Sequence, residues 1–212
     1  MAKQSIATYQ FKGKGVTALL GKDTAEVSAP TSIPIDCITL PSQQPRRYFA
    51  PKALQDLATS IQAHGILTPL LVRPVGKDSY ELVAGERRFR AAQELGLAEV
   101  PVLIRKLTDT EASEVALLEN LQREDLNPVE ETEGILTLLE QKLQKSREEV
   151  ITLLNRAAHP KRASVQNVLH SPEWKVVEAV FSSVGRFTPN SFRASRLPLL
   201  KLPKEILDAL RQ

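Results

Sequence analysis

Two helix boundaries near the middle of the chain constrain its fold more than any other feature of the sequence. Thr108 and Glu111 have the spacing of a capping box, in which a hydroxyl and a carboxylate satisfy the first amides of a helix. Asn127 followed by Pro128 is typical of a helix N-cap with a proline in the first turn. One predicted helix therefore ends and another begins around the segment ENLQREDLNP at 119–128, whose composition alone fits a solvent-exposed helix junction.

Charge is distributed unevenly along the 212 residues, although the net charge is only +3. Residues 31–140 carry eleven Lys and Arg against seventeen Asp and Glu, a net −6, whereas residues 141–212 carry thirteen against six, a net +7. An acidic part followed by a basic part favours contact between the last third and nucleic-acid phosphates. Solvated lysine-rich helices have the same composition, so charge alone leaves that alternative open.

Cysteine and apolar content exclude two classes of protein. The single cysteine, Cys37, allows neither an internal disulfide nor a cysteine-based zinc cluster. The apolar runs are too short to span a bilayer, and the first residues lack the apolar region of a signal peptide. We therefore expect a cytoplasmic protein with no membrane partner.

Periodicity predicts alternating strands and helices before the central junction. Alternating apolar and polar residues in Ser32–Leu40 predict one half-buried strand, with Ile33, Ile35 and Cys37 on its inner side. The other predicted elements are a helix over Pro51–His64 closed by Gly65, and strands at Ile66–Val72, Tyr80–Ala84 and Val100–Ile104.

The segment GERRFRA at 85–91 carries specific chemistry. Gly85 ends a predicted strand and a helix starts at once, so backbone N–H groups and the positive end of the helix dipole would face an anion. Arg87 and Arg88 add fork-shaped phosphate donors in the first turn. A basic amphipathic helix packed through Phe89 explains the apolar positions, but it does not explain three arginines in four residues.

The charged junction offers a second set of ligands. Glu119 and Asn120 are hard oxygen donors of the kind that Mg²⁺ binds, and Arg123 suits a phosphate.

These two segments, together with QPR at 44–46 and GILTPL at 65–70, resemble motifs of the ParB/RepB family of chromosome and plasmid partition proteins. The resemblance covers about residues 33–130. It implies an α+β chain, in which a small mixed α/β domain of the ParB/sulfiredoxin type precedes an all-α helix-turn-helix domain. We expect a flexible arm at 1–30, a nucleotide-binding domain at 31–127 and a DNA-binding domain at 128–212. Sulfiredoxin chemistry is not expected, because the only cysteine lies about fifty residues before the GERR segment.

The resemblance also implies that CTP binds with Mg²⁺. The residues expected to bind the nucleotide are Gln44, Arg46, Gly65, Ile66, Gly85, Glu86, Arg87, Arg88, Glu119, Asn120 and Arg123. Glu119 and Asn120 are the expected metal ligands, and Glu86 is the expected catalytic residue of a slow, DNA-stimulated CTP hydrolysis.

The basic third resembles the DNA-binding domain of the family. Ser146 and Glu149 form a second capping box, which opens a helix similar to the first helix of a helix-turn-helix. The turn at 157–160 departs from the usual pattern, and the LRLLxLP continuation of the family is displaced to 199–203. Two segments therefore stay open as DNA readers, one with Arg162, Ser164, Gln166 and Asn167, and a later one with Arg193 and Arg196.

The function implied by the resemblance is a CTP-dependent DNA clamp. It would bind a centromere-like site in double-stranded DNA as a homodimer, close, slide along the nucleoid or plasmid, and reopen on hydrolysis. Two alternatives stay open. One is a site-specific DNA-binding regulator or silencer without useful nucleotide hydrolysis, and the other is a ParB-like nuclease that uses a divalent metal.

Both ends of the chain carry expectations about partners. Lys12–Gly21 resembles the segment through which the family contacts a ParA-type ATPase, whereas a tail without a partner has the same composition. Family members normally continue into a separate dimerisation domain, but this chain ends after one short predicted helix at Lys204–Leu210. We expect either a shortened chain or another mode of dimerisation.

Overall fold

The computed structural model describes residues 30–41, 51–123, 126–158, 168–203 and 205–207. These residues fall into two compact units, whose boundary in the sequence lies between Ala116 and Leu117. The first unit combines a sheet with helices and the second is helical, which confirms the predicted α+β class. The domain limits expected from the sequence stay a prediction.

Five strands of the first unit form one mixed sheet with the order β1-β5-β3-β4-β2. The central strand β3 pairs antiparallel with β4 and parallel with β5. Leu70, Leu71 and Val72 of β3 are at most 2% exposed, as expected for a strand covered on both faces. The strands are β1 Thr31–Pro34, β2 Ile38–Thr39, β3 Leu70–Gly76, β4 Ser79–Ala84 and β5 Glu99–Ile104.

The prediction of a single strand at Ser32–Leu40 is wrong, because a 3-10 turn at Ile35–Cys37 separates β1 from β2. β1 pairs antiparallel with β5 at one edge of the sheet, and β2 pairs parallel with β4 at the opposite edge. In the turn, the Ile35 amide donates to the carbonyl oxygen of Ala98 at 3.0 Å. That hydrogen bond takes the backbone out of the alternating pattern, and Cys37 is only half-buried.

This short connection requires a curved sheet. Four Cα–Cα steps from Pro34 to Ile38 span at most about 15 Å. The outer strands of a flat five-stranded sheet would lie about 19 Å apart, because neighbouring strands are about 4.8 Å apart. The sheet therefore curls until one segment reaches both of its edges.

The strand predicted to start at Ile66 is also displaced, since β3 begins at Leu70. Residues 66–69 instead form a loop between the first helix and β3. Thr68 is exposed there, whereas Ile66 packs partly buried against the core of the sheet. The apolar run therefore predicted a buried strand correctly only from Leu70 onward, since Leu67 in the loop is 76% exposed.

Two helices of the first unit pack against each other, and one of them reaches the core of the sheet. They are α1 Pro51–His64, as the apolar spacing predicted, and α2 Glu86–Glu94. Phe89 of α2 is 1% exposed and belongs to the same apolar cluster as Leu82 and Val100.

Local caps visible in the sequence start the later helices. The Thr108 amide donates to Glu111 Oε2 at 2.9 Å at the start of α3, and Asn127 Oδ1 accepts two amides at the start of α4. These helices are α3 Asp109–Leu121, α4 Pro128–Leu143, α5 Arg147–Ala157, α6 Pro172–Val184 and α7 Pro189–Ser195. A 3-10 turn at Leu197–Lys201 follows α7.

The helices of the second unit pack around α4. Val129, Ile135 and Leu139 of α4 are completely buried, and α4 contacts both α5 and α6. Trp174 of α6 is 5% exposed and belongs to the core of this unit. Its Nε1 donates to Glu178 Oε1 at 3.0 Å.

Candidate functional site

The turn that joins β4 to α2 depends on a glycine. Gly85 has φ 98°, in the left-handed region that favours glycine, and its carbonyl oxygen accepts the amides of Arg88 and Phe89. A Cβ at this position would lie 2.9 Å from Leu70 Cδ2 and 2.9 Å from Arg88 Nη2. The predicted succession of strand, glycine and immediate helix is therefore correct. The first turn of a helix supplies amides without intrahelical partners, which is the local condition for binding an anion.

Arg88 makes a contact that the sequence did not indicate. Its Nη1 donates to the carbonyl oxygens of Thr68 and Pro69, the latter at 2.8 Å. The arginine expected to bind phosphate thus also holds the loop that contains Gly65 and Ile66. Nη1 carries only two of the five N–H donors of a guanidinium, so the loop contact is compatible with the expected phosphate contact.

Glu86, the expected catalytic residue, is paired with Arg90 one turn along α2. Arg90 Nη2 lies 2.6 Å and Nε 2.8 Å from Glu86 Oε1. The carboxylate is only 14% exposed, and the guanidinium fixes its direction along the helix. The i, i+4 spacing of the two residues is the sequence signal from which this pair could have been predicted. Arg87 is half-buried beside them, and the phosphate contacts of these residues stay a prediction.

The loop end of the expected nucleotide site begins where α1 stops. Gly65 has φ 70° and donates its amide to the Ile61 carbonyl oxygen at 2.8 Å, which confirms its predicted role in closing the helix. Gln44 and Arg46, expected at the same end of the nucleotide, lie outside the described residues.

Glu119, Asn120 and Arg123 lie at the end of α3, in the second unit. Arg123 Nη1 donates to Asn120 Oδ1 at 3.1 Å, so a guanidinium holds the oxygen that was predicted to bind a metal. A carboxylate and an amide oxygen on adjacent residues fit Mg²⁺, which commonly takes one or two protein oxygens and completes its shell with water and phosphate. When the metal is bound, the Arg123 side chain has to leave Asn120 Oδ1 or share it.

A buried carboxylate in the second unit was not among the predicted site residues. Glu131 of α4 is 4% exposed, and its oxygens lie 3.0 Å from Arg186 Nη1 and 3.0 Å from Arg196 Nη2. Arg196 also stacks on Phe187, with 4.8 Å between the guanidinium carbon and the ring centroid. The helical spacing could have indicated that Glu131 is buried, because it lies on the apolar face of α4, four residues before Ile135.

The residues expected to read DNA fall into two groups. Arg193 is half-buried on α7, and its Nε has no hydrogen-bond partner among the described residues. Arg196 shares its charge with Glu131. The DNA contacts of both stay a prediction. The other four, Arg162, Ser164, Gln166 and Asn167, lie outside the described residues.

Two kinds of feature are absent from the described ranges. No helix there has both the length and the apolar character needed to cross a membrane. In the same part of the chain, no group of three or more His, Cys, Asp or Glu side chains is arranged to hold a metal ion.

Known proteins are similar to this sequence over most of its length. Residues 20–121 match the family model of the ParB N-terminal domain. The probable plasmid-partitioning protein ParB of Thermus thermophilus is 47% identical over 208 residues, which are 98% of this chain and 67% of that protein. The protein of the same name from Deinococcus radiodurans is 44% identical over 94% of this chain and 67% of its own length. This chain therefore spans about two thirds of the length of these relatives.

A solved structure extends the likeness to the fold. The C-terminally truncated chromosome-partitioning protein ParB from Caulobacter crescentus, crystallised in complex with the centromeric parS site, has a TM-score of 0.57 to this chain. The two are 31% identical, over 84% of this chain and 75% of that one. Identity, coverage and fold agree with the motifs described above. The chain belongs to the ParB family of plasmid- and chromosome-partitioning proteins.

Proposed function

We propose that this protein is a centromere-binding partition protein that acts as a CTP-dependent clamp on double-stranded DNA. A homodimer binds a centromere-like site, closes with CTP bound, slides away along the DNA and reopens on hydrolysis. The observation that carries the proposal is the Gly85 turn. In a chain of the ParB family, it starts an arginine-rich helix whose Arg88 holds the neighbouring GILTPL loop. The complex of the Caulobacter relative with parS supports the DNA-binding part.

The roles proposed for the nucleotide site follow from the chemistry of each group. Gly85 allows the phosphates to approach the backbone, and Arg87 and Arg88 donate to phosphate oxygens. Arg88 also positions the loop through the carbonyl oxygens of Thr68 and Pro69. Loop residues Gly65 and Ile66, with Gln44 and Arg46, accommodate the base end of CTP.

Glu119 and Asn120 are the residues proposed to hold Mg²⁺, with Arg123 as a phosphate donor. When bound, the metal neutralises part of the triphosphate charge. Glu86 is proposed to orient the attacking water, and its pairing with Arg90 keeps the carboxylate in one direction.

Calorimetric titration with each of the four ribonucleoside triphosphates, in Mg²⁺ and in EDTA, tests the nucleotide part. A slowly hydrolysed CTP analogue separates binding from turnover. Arg88→Ala should eliminate CTP binding, because it removes a phosphate donor and releases the loop. Arg147→Ala is the matched control, since Arg147 forms an ion pair with Glu140 at 2.6 Å outside the proposed site. An Arg88→Ala protein that binds CTP as tightly as wild type would refute the proposed phosphate site.

Two further variants separate the metal from the chemistry. Asn120→Ala should weaken CTP binding in Mg²⁺ and leave binding in EDTA unchanged. Glu86→Ala should bind CTP but lose turnover. Loss of binding by Glu86→Ala would reassign that carboxylate from hydrolysis to holding the site together.

Gel shifts at fixed salt test the DNA part, using a duplex with a parS-like site and a scrambled duplex. Arg162→Ala and Gln166→Ala should each lose on the order of 1–3 kcal/mol of discrimination between the two. If only Arg193→Ala does so, the reading element is α7. Arg193 is the cleaner variant on that side, because Arg196→Ala also removes a partner of Glu131.

One observation favours a second candidate, a DNA-binding regulator that binds nucleotide without useful hydrolysis. Glu86 has a guanidinium on one of its oxygens, which competes with any water that the carboxylate has to orient. CTP turnover that rises when specific DNA is added supports the clamp, whereas tight binding without turnover supports the regulator. DNA degradation in a divalent metal without nucleotide would instead indicate the nuclease.

The remaining partners are also part of the proposal. The segment 12–21 contacts a ParA-type ATPase, and the protein works in the cytoplasm on the nucleoid or a plasmid.

A further inference from the structure

One arginine in the second unit contacts two segments at once. Arg186 lies in the linker between α6 and α7, and its Nη1 binds the buried carboxylate of Glu131 at the start of α4. Its Nη2 donates to the carbonyl oxygen of Arg123, in the segment 119–123 at the C-terminal end of α3. A planar guanidinium offers two donors in fixed directions, whereas a lysine ammonium is a compact charge without that geometry. Arg186 therefore connects the α6–α7 linker both to α4 and to the 119–123 segment.

The buried carboxylate extends this connection to the end of α7. Glu131 binds Arg196 through its second oxygen, and Arg196 directly follows α7. A carboxylate removed from water requires such donors, because its desolvation is otherwise uncompensated. The linker before α7 and the residue after it are thus both held by one side chain of α4.

The other end of the connection is the proposed metal ligand. Arg123 Nη1 donates to Asn120 Oδ1 at 3.1 Å, and the Arg123 amide donates to the Asn120 carbonyl oxygen at 3.2 Å. A guanidinium and a divalent cation at the same amide oxygen repel each other. The Arg123 side chain therefore has to leave Asn120 Oδ1 or share it when that oxygen binds a metal. A movement of the Arg123 side chain acts on the Arg123 backbone, whose carbonyl oxygen accepts a hydrogen bond from Arg186.

We propose that Arg186 is a positioning residue that couples the 119–123 segment to the helices α6 and α7. The inference rests on the proposed function, in which that segment binds CTP with Mg²⁺ and the basic helices bind DNA. Arg186 is not among the residues proposed to bind CTP or DNA. It acts through the Arg123 carbonyl oxygen and the Glu131 carboxylate, so a change in the hydrogen bonding of Asn120 reaches the segment that carries Arg193.

Hydrogen exchange of the ligand-free protein tests the contact itself. The Gln122 and Arg123 amides are the reporters, since they donate to the carbonyl oxygens of Leu118 and Asn120. In Arg186→Lys these amides should exchange about tenfold faster. The Phe89 amide, in the first unit, should be unchanged.

A second test variant and a control accompany the exchange measurement on Arg186→Lys. Glu131→Gln should have the same effect on the reporter amides, because it removes the charge that holds Arg186. Arg147→Lys is the matched control, since Arg147 lies in a different ion pair on α5, and it should exchange like wild type. Circular dichroism establishes that each variant is folded. If Glu131→Gln does not fold, Arg186→Lys retains the charge and carries the test.

The ratio of CTP affinities with and without specific DNA tests the coupling. Calorimetry in Mg²⁺ measures the CTP affinity of each protein with the specific duplex from the gel shifts and with the scrambled duplex. The ratio of the two affinities is the coupling factor. Wild type should show a factor of about five or more, in the range usual for coupled sites. Arg186→Lys should bring the factor close to one, whereas Arg147→Lys should keep the wild-type value.

The outcomes are distinguishable. Unchanged exchange at Gln122 and Arg123 in both Arg186→Lys and Glu131→Gln overturns the positioning role, whatever the CTP and DNA affinities are. Faster amide exchange with an unchanged coupling factor for CTP affinity overturns the coupling. Arg186 would then only stabilise the fold. Wild-type protein that binds neither CTP nor specific DNA refutes the proposed function, and the coupling with it. Wild-type coupling that Arg186→Lys retains refutes only this inference.

Discussion

Gly85 shows how one backbone angle supports the arginine-rich turn. Gly85→Ala should lower the free energy of unfolding by about 1–3 kcal/mol, which is typical for a non-glycine residue in a rare backbone region. The new Cβ would also lie 2.9 Å from Leu70 Cδ2 in the core. Gly76→Ala is the matched control, because its Cβ would meet Ser79 Cβ at an ordinary 3.6 Å. Urea denaturation measures both, and equal losses at the two positions would contradict the left-handed turn.

Glu131 is expected to be the most sensitive charged residue of the second unit. Glu131→Ala leaves two arginines without their carboxylate, which should lower the free energy of unfolding by about 3 kcal/mol. We expect this low end of the usual range because the side chains of Arg186 and Arg196 stay 30% and 26% exposed.

Glu140→Ala is the control for Glu131→Ala. It removes a carboxylate from the more exposed pair with Arg147 and should cost less than about 1 kcal/mol. Thermal unfolding at neutral pH compares the two. If Glu131→Ala lowers the stability as little as Glu140→Ala does, solvent already screens the charges of Glu131, Arg186 and Arg196.

These residues mark what a sequence can indicate about a site. The order glycine, acid, arginine, arginine predicted the strand–turn–helix geometry at Gly85, because that geometry depends on near neighbours. The hydrogen bond from Arg88 to Pro69 spans 19 residues and that from Arg186 to Arg123 spans 63, so both exist only once the fold has brought the segments together. Spacing along the chain contains no sign of either.

At the level of elements, the same distinction separates helices from strands. Capping signals at Thr108, Asn127 and Ser146 predicted where α3, α4 and α5 begin, since a cap is complete within four residues. Alternation over 32–40 failed to show the break between β1 and β2. Ile35 stays buried in the turn, two residues after the buried Ile33, and the partner of its amide is Ala98, far along the chain.

The capping box of α5 should make stability depend on pH. The Ser146 amide, followed by its hydroxyl, holds the pKa of Glu149 below the ordinary value of 4.5. A lowered carboxylate pKa means that the charged form stabilises the folded state above pH 4.5, and that this contribution disappears as the pH falls through the folded pKa.

Glu149→Gln keeps the hydrogen bond without the charge. It should therefore lower the Tm near pH 7, and the difference from wild type should close below pH 4.5. Glu148→Gln, in the same first turn, controls for the general effect of negative charge near a helix N-terminus. Calorimetric scans from neutral to acid pH measure the difference. A gap that stays constant across the scans would contradict the assignment.

For the whole molecule, the uneven charge predicts that different functions lie in different segments. Deleting residues 1–21 should leave CTP and DNA binding intact, because the basic charge is concentrated in residues 141–212. The deletion should abolish stimulation of a cognate ParA-type ATPase. ATPase assays with full-length and shortened protein provide the measurement, and undiminished stimulation by the shortened protein would place the ATPase contact elsewhere.

The short connection between β1 and β2 has a consequence for how this protein tolerates trimming. Each edge of the sheet is covered by a strand of only four or two residues, and both come from the same stretch of chain. A product cut downstream of Thr39 would lose both covers together. It would leave β4 and β5, six residues each, as open edges of the described sheet, free to recruit strands from other molecules. β1 and β2 therefore protect the sheet against aggregation, and a proteolytic cut just after Thr39 should first lower the solubility of the product.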